Sequence, residues 1–188
     1  MNSMQYSFDP DELLSSEIVI DKFDVARRQL ESAVTMFFDK RDVVSLHTLI
    51  SAAHVIVHDL AKQQGIHVSI KDSQLIQPEK RKEFIKDINR PQNFFKHARQ
   101  DGGTKLVFRY RVSQLYLFDA VRLFVLIGGS VTYTLKIFLM YFQLRYPSLL
   151  CFWPAEEDLR RIRENTTDPE VFKSLGRHLL QDSSTREA

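Results

Sequence analysis

One cysteine, one tryptophan, six glycines and six prolines in 188 residues leave this chain without most of the devices that hold small or turn-rich folds together. The lone Cys151 excludes an internal disulfide framework and a cysteine-based zinc site. Its apolar surroundings, LLCFW, favour packing over reactivity. So few glycines and prolines favour long helices over many turns. Gly102-Gly103 and Gly128-Gly129 lack the lysine of a phosphate loop and the spacing of a dinucleotide fingerprint. Neither a GxSxG elbow nor an HExxH pair occurs. The opening, MNSMQYSFDPDELLSSE, is acidic and polar rather than a basic segment followed by an apolar one. A reducing, cytoplasmic setting is the expectation.

What is present has a globular balance, 44% hydrophobic and 27% charged, enough apolar material for one domain with a proper core. The net charge of +2 hides an asymmetry. Residues 1–42 hold nine acidic and five basic side chains, a net of −4. Residues 71–111 hold eleven basic and five acidic ones, a net of +6. Such a local positive field suits a polyanion such as RNA, or a solvated helix face.

Apolar periodicity organises the chain as helices. Ala26, Leu30, Ala33, Val34 and Phe37 recur at helical spacing, with Asp21 or Asp24 placed to cap the start. After a break at Arg41-Asp42, a second helix is predicted from about Val43 to Gln64, closed by Gly65. So short a turn makes the pair an antiparallel hairpin. Residues 66–79 read as a loop, followed by a basic helix near Pro78 to Ile88 and a second short helix opening at Pro91, capped by Asn89 or Arg90. In TKLVFRYRV, Leu106, Phe108 and Tyr110 alternate with basic residues, as in a short strand or the lead-in to a helix. Two very apolar helices, 112–128 and 130–145, follow.

Leu123 to Leu144 is almost free of charge, but Lys136 and Gly128-Gly129-Ser130 interrupt it. A buried central hairpin is therefore expected rather than a membrane span. Further helices are expected from Pro154 and from Asp168. Phe37, Phe38, Phe138, Tyr141, Phe142 and Trp153 stand at core positions. The expected architecture is all-α: an N-terminal arm at 1–20, a single helical domain over 21–180 and a disordered tail at 181–188.

Two groups of residues are candidates for chemistry. In INRPQNFFKHARQDG, a helix would put Arg90, Asn93, His97 and Asp101 on one side, and Pro91, Phe94, Phe95 and Ala98 on another. A histidine suits general acid–base work and a nearby arginine can stabilise a phosphate. Lys86, Lys96 and Arg99 add phosphate-binding charge. The same face could equally hydrogen-bond a neighbouring segment. The second group, His47, His54 and His58, lines one side of the second helix; a boundary stripe or packing against another subunit is the expectation there rather than a metal site, since the acidic ligands that a di-metal centre needs are missing from the neighbouring helices. No cofactor or metal is implied.

The helical hairpin with SAAH in its second helix, followed by Arg90-x6-His97 in a later one, resembles the HEPN superfamily over roughly residues 20–145. Pro91 stands where members of that superfamily place a polar residue after the arginine. The NFFKHA segment also resembles one in an uncharacterised bacterial all-α family. The first resemblance implies a dimeric all-α domain that binds RNA or cleaves it without metal, in a toxin or defence system. His97 would then be the general acid or base, Arg90 with Lys96 the phosphate clamp, and Asn93 the residue that orients the imidazole. The other expectation is a non-enzymatic helical module that binds a protein partner or a small ligand.

Overall fold

The computed structural model describes residues 17–72, 77–97 and 102–146, and within them it is all-α. Five helices, α1 (Lys22–Phe38), α2 (Val43–Gln63), α3 (Pro78–Lys96), α4 (Val112–Leu126) and α5 (Tyr133–Arg145), and one 3-10 turn (Ile70–Asp72) follow in order. Among the described residues there is no strand.

The hairpin forms as its sequence requires. Asp21 caps α1 by accepting from the Asp24 N–H at 2.7 Å, and Asp42 caps α2 through the Ser45 N–H at 2.7 Å. At the other end of α2, Gly65 has φ +74°. Its N–H donates to the Lys62 carbonyl and that of Ile66 to the Ala61 carbonyl, the paired closure that a left-handed residue permits. Leu30, Ala33 and Val34 of α1 and Ile50, Ala53 and Val57 of α2 are buried. Alanines at Ala33 and Ala53 let the two helices pack closely.

Helix α4 is the centre of the bundle and packs on α1, α2 and α5. Nine of its residues, from Ser113 to Phe124, are buried. This is why the run reads as apolar on all sides. Gly128 and Gly129 break it from α5. Gly128 takes φ +89°, and the Gly128 and Gly129 N–H groups close α4 onto the Val125 and Phe124 carbonyls. The apolar stretch 123–144 is thus two core helices joined by a turn. Helix α2 is itself long and apolar enough to cross a membrane by length and composition; here its apolar face is packed on α1 and α4. An aromatic cluster ties α5 to α1: the Phe37 and Phe38 rings lie 5.4–6.4 Å from those of Phe138 and Tyr141, mostly edge to face. Such pairs add about 0.5–1.5 kcal/mol each beyond the area they bury.

One expectation is corrected. The basic helix and the helix expected to open at Pro91 are one helix, Pro78–Lys96, with Pro78 in its first turn and Pro91 inside it. Phe84, Ile88, Pro91 and Phe95 follow one another on a single inward side, so burial of that side holds the helix through the proline. The N–H that Pro91 lacks would have met the carbonyl of Asp87, an exposed position where water can take its place. Of the two readings left open for TKLVFRYRV, the segment is the lead-in to α4, and no strand forms at 104–109. The alternation is real, with Leu106 and Phe108 half-buried and Val107 fully exposed, but no neighbouring strand offers a partner among the described residues. Asp101, Arg99, Cys151, Trp153, the expected helices beyond Pro147 and the terminal arm and tail, apart from residues 17–20, lie outside the described residues.

Candidate functional site

The polar face expected at Arg90 to Asp101 is arranged differently from that expectation. Arg90 and Asn93 lie on the outer side of α3 and are exposed, as are Lys82, Lys86 and Lys96. At 100° per residue these five fall within one stripe, which runs from Lys82 to Lys96, a rise of about 21 Å. His97 is not on the helix proper. It caps the C-terminus in an extended conformation, φ −128° and ψ 114°, its N–H donating to the Asn93 carbonyl at 3.1 Å. Phe94 and Phe95 are half-buried and hold the inner side. Arg99 and Asp101 cannot be placed beside His97, being outside the described residues.

The three histidines of α2 are drawn into the interior, each to a different partner. Nδ1 of His47 is 2.9 Å from Ser113 Oγ of α4. Nε2 of His54 is 2.9 Å from Asp119 Oδ2, and Nε2 of His58 is 2.9 Å from Asp72 Oδ2. Tyr116 of α4 inserts into this row, its ring stacked on His54 at 4.2 Å and 14°. Among the described residues no group of three potential ligands could hold a metal. The boundary stripe read from the spacing is thus a set of inter-element fasteners.

Asp119 is the residue that sequence reasoning missed. It is 3% exposed, and its Oδ2 also accepts from the Ser69 hydroxyl at 2.8 Å and the Ile70 N–H at 3.0 Å. Arg122 donates to its other oxygen at 3.1 Å and also to the Val68 carbonyl. Burial alone would raise its pKa, yet the donors hold the carboxyl below its usual range. His54, opposite, is pushed down by burial despite Asp119. The pair is therefore a neutral imidazole donating to a carboxylate, and it pins residues 68–72 to the bundle. A signal existed: Asp119 is the one acid in the apolar run from Leu115 to Gly129, whose other charged residue is Arg122 at i+3.

Lys71 is held in the same region. It is 9% exposed, its ammonium lies 5.3 Å from the Tyr116 ring centre, and burial lowers its pKa against the pull of Asp119.

Beside the histidine row lies a cavity of about 520 Å³. The inner side of α3, the start of α4 and residues 106–109 enclose it, with His47 and Tyr116 in its wall. The His47 imidazole is 1% exposed, among the rings of Phe95, Phe108 and Tyr116 at 5.0–6.0 Å. Burial there lowers its pKa from 6.5 to about 4. His47 Nε2 and the Tyr116 hydroxyl are both buried with no hydrogen-bond partner among the described residues.

Together these features define an all-α helical bundle with a basic outer helix face and a half-open cavity behind it. No family model, curated protein or solved structure matches the chain.

Proposed function

We propose that the domain binds RNA along the outer side of α3, as a HEPN-like module, and that it cleaves RNA without metal through His97. The observation that carries the reading is the stripe of Lys82, Lys86, Arg90 and Lys96, all exposed on one side of one helix. Lys82, Lys86 and Arg90, about one helical turn apart, suit successive phosphates, and Lys96 extends the row. In the cleavage step His97 serves as general acid or base, with Arg90 on the phosphate and Asn93 orienting the substrate or the ring. Lys86, Lys96 and Arg99 supply binding charge. A two-fold mate would complete so one-sided a site, so the active form in this reading is a homodimer, acting in the cytoplasm.

The test is incubation with total RNA in EDTA, wild type beside a His97→Ala variant of equal thermal stability, and a salt titration of binding. Cleavage by the wild type alone supports the assignment of His97. Binding that weakens steeply with salt and is lost in a Lys86→Glu/Arg90→Glu double variant supports the stripe. Binding indifferent to both would sink the reading.

A second reading, a non-enzymatic helical module that takes a small ligand, is favoured by a separate observation. The cavity of about 520 Å³ beside α3 is lined largely by apolar side chains, with Arg90 and Arg109 also among its lining residues.

A further inference from the structure

Residues 17–20 precede α1 and are exposed throughout. Ile18 is 72% exposed, Val19 fully so and Ile20 44%. Three consecutive β-branched apolar side chains in water are unfavourable in an isolated chain, and such a run marks a contact surface. No backbone hydrogen bond among the described residues holds residues 17–20.

A second stretch has the same deficit. Residues 105–108 form no helix or turn, and no backbone hydrogen bond among the described residues engages them. Their side chains alternate as in an extended chain. Leu106 and Phe108 are half-buried in the wall of the cavity beside α3, and Val107 stands in water. Phe84, Ile88 and Leu115 supply much of the remaining wall.

The two stretches also match in charge. Residues 1–21 hold five acidic side chains and no basic one, and Glu17 and Asp21 bracket the apolar triplet. Residues 102–118 hold Lys105, Arg109 and Arg111 and no acid, and all three cations are exposed. Opposite charge at the margin of an apolar contact selects the partner and fixes the register.

Within one chain they cannot meet. The Phe23 ring at the start of α1 lies 6.2 Å from the Phe124 ring at the end of α4, whereas the cavity lies at the start of α4, with Val112 in its wall. The rise from Val112 to Phe124 is about 18 Å along the helix. From Asp21 back to Ile18 an extended chain reaches only about 10 Å. A two-fold axis across the bundle sets the arm end of one copy beside the cavity end of the other. Both contacts then form at once and none is left open.

We propose that residues 17–20 pair with residues 105–108 of a second copy, an arm exchange that closes a symmetric homodimer. Added as a strand to that unpartnered segment, the arm gains main-chain hydrogen bonds. Its period of two sends Ile18 and Ile20 to the same side as Leu106 and Phe108, into the cavity, and leaves Val19 outward beside Val107. Glu17 lies toward the cations of residues 105–111. The interface needs neither His97 nor RNA.

Sedimentation velocity of the full chain against concentration and salt tests it. A dimer is expected, loosened by salt. Ile18→Asp/Ile20→Asp changes only exposed side chains, so the monomer should keep its Tm. The dissociation constant of that variant should rise at least about a hundredfold, since burying each isoleucine is worth tenfold or more. Arg109→Glu should weaken the dimer about fivefold, the worth of one partly exposed charge pair, and Glu17→Arg should restore it. His97→Ala should dimerise as the wild type does, whatever it does to RNA. In a Cys151→Ser background, a short bismaleimide should join Val19→Cys chains to Val107→Cys chains in a mixture faster than either variant to itself. A dimer indifferent to Ile18→Asp/Ile20→Asp, or a mixed pair that fails to cross-link, would place the contact elsewhere and overturn the exchange. A chain that stays monomeric up to about 0.1 mM overturns it too; uptake of a small apolar probe by that monomer would make the cavity a ligand site instead.

Discussion

Acid should unfold this domain through His47 before it reaches the carboxylates. The imidazole is buried among aromatic rings with a serine hydroxyl as its hydrogen-bond partner, and its pKa falls from 6.5 to about 4. An unfolded chain takes up a proton at this residue below about pH 6.5, whereas the folded chain resists until about pH 4. The contribution is therefore complete above pH 6.5 and is lost as pH falls through that window. At roughly 1.4 kcal/mol per pH unit, the loss is about 3 kcal/mol. That is a large part of the stability of an ordinary domain. Urea unfolding at several pH values, wild type beside His47→Asn, would measure it. Asparagine places a neutral polar group near the position of Nδ1, within reach of Ser113, and cannot titrate. His54 and the carboxylates titrate in both proteins and cancel in the difference. The wild type should lose about 3 kcal/mol more than the variant between pH 6.5 and pH 4. Parallel curves would show that His47 is hydrated in the folded state, and the argument from burial would fail.

Asp119→Ala should cost about 3–5 kcal/mol by urea unfolding, since it strips the acceptor from His54, Ser69, the Ile70 N–H and Arg122 at once. A loss below about 1 kcal/mol would mean that the network reorganises around water. Gly129→Ala should cost about 1–3 kcal/mol, because a methyl group there would come within 2.5 Å of the buried Phe124 ring. Gly65→Ala should cost only about 1–2 kcal/mol, for strain at φ +74° in open space; an equal or larger loss there would refute the steric account of Gly129.

Local chemistry was legible wherever one stretch of chain decides its own conformation. Asp21, Asp42 and Gly65 mark the hairpin because each satisfies backbone groups within five residues of itself. Pro91 misled for the same reason. Its preference for a first turn is a local tendency, and burial of Phe84, Ile88 and Phe95 along the same side outweighs it. TKLVFRYRV left strand and helix lead-in both open: its alternation reported which side chains turn inward, but a strand also needs a neighbour, and that lies outside any one segment.

The site divides along the same line. Spacing placed His47, His54 and His58 on one side of α2, and charge counting found the basic stretch that became the outer side of α3. Neither could reveal that Asp119, 65 residues from His54, would complete a buried pair. Nor could they reveal that Tyr116 would enter the histidine row, or that α3 would stand off far enough to leave a cavity.

By itself the sequence determined the helices, their caps and their inward sides, because backbone hydrogen bonding and the 3.6-residue period act over a few residues. Only the tertiary structure decided which buried polar groups meet and which stay unpaired. Those outcomes depend on how helices distant in the chain are brought together, where a shift of one ångström makes or breaks a hydrogen bond.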